Sequence, residues 1–224
     1  MSTDRDTGDF EHDTLHLSSN DGFSITLEQY RKLMTGDFAV GELMKSEESA
    51  ESYDLHVNSA GLNVDLDIIE CTQTALDGRD VGVGLLAMQN IEKDQCLGIY
   101  MGEVCKEDSK TDTDYTTALK KGYCVDSRCL EHGLHRINDS AGLTNVVAQS
   151  CIVHVSDSGR VINMPLVIYF SSKKITKFQF LSVAYGDQYW TCRGRLMLWP
   201  ISMPKIRESV TREEAVAAID ACTQ

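Results

Sequence analysis

The chain has 224 residues, 42% of them apolar and 25% charged, enough to bury one sizeable core and to form one domain or at most two. Its formal net charge of −13 and the lack of any basic stripe argue against direct nucleic-acid binding, which needs a cationic surface. No apolar run approaches the roughly 20 residues that span a bilayer, and residues 1–30 lack the basic start and apolar stretch of a secretion signal. The expectation is a soluble protein with no membrane partner.

The acidity is concentrated at one end. Residues 1–70 hold 16 acidic and 4 basic side chains, while the rest of the chain carries 18 and 17. One reading is a solvated, partly disordered arm, because so little apolar surface does not offset the entropy of ordering. The other is a surface that attracts a basic partner. Within this stretch Leu27, Tyr30, Leu33 and Met34 fall at helical spacing and predict a helix between Ile25 and Met44, with Ser24 as its cap.

From about Ala75 the pattern predicts short strands: Val81 to Ala87, Cys96 to Tyr100, Tyr123 to Asp126, Val146 to Val155 and Pro165 to Ser171. Polar turns separate them, among them Asn90 to Asp94 and Ser156 to Gly159. Thr211 and Glu214 form a capping box ahead of a short helix over Ala215 to Ala221. The predicted organisation is an acidic N-terminal arm over 1–70, a β-rich domain over 71–200, and a C-terminal extension with a short helix over 201–224.

Eight cysteines lie scattered at 71, 96, 105, 124, 129, 151, 192 and 222, several inside strand-like runs, which reads as reduced thiols rather than a disulfide framework. Cys124, Cys129, His132 and His135 come nearest to metal spacing, but the chain has no CxxC pair, and no metal site is expected.

Gly82-Val83-Gly84-Leu85-Leu86-Ala87 formally satisfies the dinucleotide-binding glycine pattern. That motif requires an apolar strand before it and a helix after it, since the phosphates sit on the helix N-terminus. Here a polar turn, Asp77 to Asp80, precedes it and a second strand follows, which argues against a nucleotide-binding crossover.

Taken with its surroundings, the glycine strand resembles the opening of the SET-domain protein lysine methyltransferases, which continue through an isoleucine-lysine turn, here Ile91 to Asp94, to Tyr100-Met101-Gly102-Glu103. Two further runs resemble that family in order and spacing. Tyr123 to Arg128 leads into Arg136-Ile137-Asn138-Asp139-Ser140 with Asn145 downstream, and Ile175 and Leu181 lead to Tyr185-Gly186. Tyr185 to Trp190 with Gly194 is most similar to the histone H3 lysine-9 subgroup, although its flanking zinc cysteine clusters are absent. The resemblance covers about residues 74 to 199.

The resemblance implies a mainly β fold with short helices: small sheets and a threaded, pseudoknot-like C-terminal segment. It implies S-adenosylmethionine as methyl donor, a protein substrate with an exposed lysine, a histone tail among the candidates, and no metal. Tyr185 would be the catalytic tyrosine. Gly82, Val83, Gly84, Tyr100, Asn138 and Asp139 would contact the cofactor. Tyr123, Val183, Tyr189 and Trp190 would line the lysine channel, with a core role equally open for Tyr123 and Trp190.

The chain also departs from the family. Asp139 replaces a histidine, Ala141 a cysteine, His135 and Arg136 an arginine and a phenylalanine, and Val183 and Ala184 an aromatic residue and an aspartate. Asp139 would either accept a bond from the adenine amine or weaken cofactor binding, and the small Val183 implies a roomier channel. In the absence of zinc clusters, Leu196 to Ile201 and the terminal helix are expected to close the channel. Beside an active methyltransferase stand a SET-like module that has lost catalysis and binds a basic partner, and a β-rich domain of unrelated function. Lys120-Lys121 and Lys173-Lys174 are too short for nuclear signals, leaving nucleus and cytoplasm open.

Overall fold

Runs of β-branched and aromatic residues on either side of Ser158-Gly159 form the longest feature of the molecule. In the computed structural model, which describes residues 15–18, 24–36, 54–74, 80–106, 114–119, 122–140, 143–186 and 189–190, they become two 12-residue strands, β12 (Val146–Asp157) and β13 (Arg160–Ser171). These pair antiparallel from Val146↔Ser171 to Asp157↔Arg160. Ser158 and Gly159 turn the chain at φ 49° and 84°, the positive pair that suits the twist of a two-residue hairpin.

Two short strands extend this hairpin into a four-stranded sheet: β7 (Cys96–Ile99) antiparallel on β13, and β2 (Ser24–Thr26) parallel on β12. A second four-stranded sheet runs in the order β3 (Met34–Thr35), β8 (Gly102–Lys106), β10 (Tyr123–Asp126), β9 (Thr116–Ala118). Gly102 sits at φ 155° where β8 meets β10, and a Cβ there would lie 2.4 Å from the Asp126 carbonyl oxygen. The glycine of Tyr100-Met101-Gly102-Glu103 is thus demanded by close backbone approach.

Three two-stranded pairs complete the fold: β1 (Leu15–Ser18) with β4 (Asp54–Val57), β5 (Ile68–Thr74) with β6 (Asp80–Ala87), and the parallel pair β11 (Asn138–Asp139) with β14 (Ser182–Val183). The expected class, mainly β in small sheets with short helices, is what the structure has. One hydrophobic core joins the sheets, with Leu85, Leu97, Ile99, Val125, Leu166 and Leu181 inaccessible to solvent. A smaller cluster of Ile69, Cys71, Leu86, Met88, Phe178 and Phe180 packs beneath β5 and β6.

The N-terminal region departs from the sequence reading. Strands begin well before Ala75, and the described parts of residues 24–70 belong to the main body rather than to a separate arm. The helix α1 (Leu27–Leu33) buries Tyr30 and Leu33 in the main core, and Met34, Val57 and Leu66 join them. Tyr30 donates its hydroxyl to the Pro165 carbonyl at 2.8 Å, fastening α1 to β13. The cap is Thr26, not Ser24: its Oγ1 accepts from Gln29 N at 3.1 Å while Thr26 N donates to Gln29 Oε1 at 2.8 Å. The helix stops at Leu33 because Met34 turns extended to pair with Gly102, so only the first half of the predicted span is helical. In the described parts of this stretch charge reports the exposed faces, whereas a few apolar side chains decide which segments dock.

None of the described cysteines is in a disulfide. The expected terminal helix over 215–221, the closing segment Leu196 to Ile201, Gly194, Cys192 and Cys222 lie outside the described residues.

Candidate active site

The three sequence motifs meet at the β11–β14 pair. These strands, of two residues each, set Asn138 opposite Ser182 and Asp139 opposite Val183. Such short pairing is reinforced by side chains. Asn145, fully buried, donates Nδ2 to the Phe180 carbonyl at 2.8 Å and accepts from Ser182 N at 2.8 Å, and Ser140 Oγ donates to Ser182 Oγ at 2.8 Å. Residues 138–140 and 143–145 are therefore joined to residues 180–185 by strand pairing and side-chain hydrogen bonds.

Asn138 joins the glycine strand to this pair. Its Nδ2 donates to the Val83 carbonyl at 3.0 Å and to Gln73 Oε1 at 2.6 Å. Gly82 turns at φ 88°, its N–H donating to Asp80 Oδ1 at 2.8 Å, and a Cβ there would meet nothing within 4 Å. The strand therefore presents bare backbone to an open space. Tyr185 closes the arrangement from the other side: its hydroxyl donates to the Ile137 carbonyl at 2.8 Å and its backbone N–H to Asp139 Oδ2 at 2.9 Å.

Two cavities flank Tyr185. The first, about 410 Å³, is walled by Asp80 to Val83, Arg136, Asn138, Tyr115 and Trp190. The second, about 300 Å³, is walled by Tyr100, Tyr169, Val183, Ala184, Leu134 and Thr116 to Ala118. Tyr185, Tyr189, Asp114 and His135 border both. The tyrosine packs against Tyr189 at 4.6 Å and stacks on Trp190 at 6.0 Å between ring centroids. Burial, reinforced by Tyr189, Tyr169, Tyr100 and Asp139, pushes its hydroxyl well above the ordinary phenol range, so it stays protonated at neutral pH. Burial likewise lifts the Tyr169 hydroxyl to about 12. Desolvation, and secondly the Arg136 charge, lower His135 to about 4, so it remains neutral.

The structure brings together Gly82, Val83 and Asn138 on the first cavity, and Val183, Tyr189 and Tyr185 on the second. Other expected site residues are placed differently. Gly84 is buried and turned from the cavity: a Cβ there would lie 2.4 Å from Gln73 Oε1, so this glycine makes room for the glutamine that braces Asn138. Tyr100, expected beside the cofactor, walls the second cavity, stacked on Tyr169 at 5.6 Å with its hydroxyl donated to the Tyr115 carbonyl at 2.8 Å. Tyr123 lines neither cavity; it is buried in β10, its ring 5.8 Å from Lys106 Nζ. Trp190 walls the first cavity rather than the second, and is also a core residue at 4% exposure.

Asp139 differs most from expectation. It is 1% exposed, and its Oδ2 accepts from both Tyr185 N and Trp190 Nε1 at 2.9 Å. The carboxylate is thus turned inward to hold the tyrosine and the tryptophan, not outward to an adenine amine.

Sequence reasoning missed Tyr169, Asp80, Asp114, Tyr115 and Gln73. Tyr169 was visible only as one aromatic in an apolar strand, Asp80 only as the end of a polar turn, and Gln73 lies in β5, where no strand was expected. Among the described residues, the buried side-chain donors without a partner are Gln73 Nε2 and Arg136 Nε, both next to Asn138. No group of three potential metal ligands occurs among the described residues.

No family model matches the chain. Among known proteins, human histone-lysine N-methyltransferase EHMT1 is 26% identical over 153 residues, covering 64% of this chain and 11% of that protein. The chain therefore spans about a tenth of that relative's length. Solved structures with partial likeness include the Chaetomium thermophilum polycomb repressive complex 2, at 20% identity over 55% of this chain and 15% of that one, TM-score 0.40. KRYPTONITE in complex with mCHH DNA, an H3(1–15) peptide and SAH is 18% identical over 55% of this chain and 24% of that one, TM-score 0.40. The sequence kinship to EHMT1 and the three motifs that converge in order on Tyr185 make this chain similar to the SET-domain protein lysine methyltransferases.

Proposed function

We propose that this chain transfers the methyl group of S-adenosylmethionine to the side-chain amine of a lysine in a protein substrate. The observation that carries the reading is the sharing of Tyr185 by two cavities of different character. The first suits the cofactor. It has a volume typical of small-molecule sites, a bare backbone edge at Gly82 and Val83, the amide of Asn138, and acidic side chains, Asp80 and Asp114, that favour a cationic ligand. The second is narrower and walled by tyrosine rings and aliphatic side chains, as a lysine stem requires.

S-adenosylmethionine bound there supplies an electrophilic methyl on sulfur. The chain's own task is to present a neutral amine to it. At pH 7 a lysine of pKa near 10.4 is neutral about once in 2,500 molecules, a cost of about 4.6 kcal/mol. Desolvation between Tyr100, Tyr169, Val183 and Leu134 disfavours the ammonium and reduces that cost. Tyr185, protonated and held between Ile137 O and Asp139, orients rather than abstracts: it fixes the junction where amine, methyl and sulfur align.

Histone tails are the first substrates to try, since the relative EHMT1 is a histone-lysine N-methyltransferase by name and the chain's net charge of −13 favours encounter with basic peptides. The test is calorimetry with S-adenosylmethionine followed by methyl transfer to histone peptide arrays, with mass spectrometry of the products. Cofactor binding and transfer that fails in Tyr185→Phe support the reading. Absence of cofactor binding defeats it in favour of a partner-binding module without catalysis, and strictly monomethylated product contradicts a channel widened at Val183.

A further inference from the structure

Arg136 is in an unusual position for a cation. It walls the first cavity, its Nη2 donates to the Glu131 carbonyl at 2.9 Å, and its Nε is buried with no acceptor among the described residues. A buried charged donor left unsatisfied is costly, and such a group in a cleft marks where an acceptor belongs. Of the described residues walling that cavity, Arg136 is the one standing cation, because His135 beside it stays neutral. Opposite charge is also present, from Asp80 and Asp114. A cleft holding two carboxylates and one guanidinium matches a ligand end that carries both an ammonium and a carboxylate.

We propose that Arg136 receives the α-carboxylate of the cofactor's amino-acid end, an inference that rests on the methyltransferase reading. A planar guanidinium recognises a carboxylate through paired, charge-assisted hydrogen bonds that an ammonium does not reproduce. The same position explains why the cavity tolerates an arginine where the family has an apolar side chain: the charge is answered by the ligand.

Two ligands that share the adenosine-sulfur half separate the possibilities. S-adenosylhomocysteine carries the amino-acid end, and 5′-methylthioadenosine lacks it. Calorimetry on the full chain is expected to show tighter wild-type binding of the former. Arg136→Gln lowers that affinity about ten- to a hundredfold, leaves 5′-methylthioadenosine unchanged, and Arg136→Lys recovers part of the loss. Equal loss for both ligands, or none for either, overturns the assignment while leaving the methyltransferase reading intact. A wild-type chain that binds neither ligand removes both. Matched thermal unfolding of the variants separates lost recognition from lost folding.

An independent feature lies across the second sheet. Cys105 of β8 and Cys124 of β10 are directly opposed in antiparallel register, their Sγ atoms 3.3 Å apart. Cys105 is half-buried and Cys124 buried. Opposed residues hold their Cα atoms about 4.5–5.5 Å apart, within the range a disulfide spans. We infer that the pair is an oxidation site. A peroxide converts the more accessible Cys105 thiol to a sulfenic acid and is reduced to water. The Cys124 thiol then attacks that sulfur, forming the S–S bond and releasing a second water. Peroxide treatment is expected to consume two thiols together, remove two hydrogens from the intact mass and give a linked 105–124 peptide, with Cys105→Ser and Cys124→Ser each abolishing the link. A different pairing, or sulfinic acid at Cys105 without cross-linking, overturns it.

Discussion

Asp139→Ala is the most direct probe of how the site is built. The substitution deletes the acceptor shared by Tyr185 N and Trp190 Nε1, both at 2.9 Å, inside a region where Asp139 is 1% exposed and Trp190 4%. A hydrogen bond to a charged acceptor contributes about 1.5–3 kcal/mol, and each orphaned donor then carries a desolvation penalty of similar size. These overlap rather than add, and the donors left behind are neutral, so the expected loss is about 2–4 kcal/mol. For a chain of this size that corresponds to a fall in Tm of roughly 4–16 °C. Asp139→Asn keeps a neutral acceptor and is expected to lose about half as much. Urea unfolding gives the free energy, and tryptophan emission reports the indole that has lost its acceptor. A loss below about 1 kcal/mol for Asp139→Ala, with emission unchanged, refutes the role assigned to this carboxylate.

Gly102→Ala drives a Cβ to 2.4 Å from the Asp126 carbonyl oxygen at a φ of 155°, so β8 and β10 must separate. The expected result is a loss of several kcal/mol or failure to accumulate as soluble protein, whereas Gly82→Ala, which meets nothing within 4 Å, costs only the roughly 1–2 kcal/mol of placing a side chain at a φ of 88°. His135 makes stability depend on pH. Its folded value, about 4, lies below the ordinary 6.5, so the unfolded chain binds the proton more readily between those values. The contribution is fully present above pH 6.5 and is lost as pH falls towards 4, the sign expected for a base buried neutral. Urea midpoints compared at pH 7.5 and 5 are expected to drop further in wild type than in His135→Asn, and equal slopes count against the burial argument.

The long strands were legible because their chemistry is repetitive. β6, β7, β10, β12 and β13 are runs of Val, Ile, Leu, Tyr and Cys bounded by turn residues, and the expected spans differ from those observed by a few residues at most ends. The pairs that assemble the site were not legible by periodicity: β11 and β14 have two residues each, too few to show a repeat, and depend on Asn145 and Ser140 from outside their own spans. Tyr185, Asn138 and Gly82 were singled out through motif order, which specifies identity but not direction. That is why the placement of Tyr100, Gly84 and Asp139 differs from what the resemblance implies. Gln73 was invisible for a different reason. It lies in β5, within the stretch where the sequence shows only the approach to the domain, yet it is fully buried and braces Asn138.

The departures that put activity in question also have a common logic once placed. Asp139 points inward and its charge is met by two N–H donors, so it reinforces the tyrosine instead of intruding on the cleft. His135 stays neutral between the cavities, and Arg136 supplies the positive charge one residue on. Ala184 is exposed on the wall of the second cavity, where loss of a carboxylate removes no internal bond between β11 and β14. None of the four interrupts the contacts among Asn138, Asn145, Ser182 and Tyr185 on which the geometry depends. A site drifting after loss of function accumulates changes without regard to these contacts. Here an acidic residue at a buried position coincides with the tryptophan N–H and tyrosine N–H that satisfy it, so the departure at Asp139 is compensated within the fold.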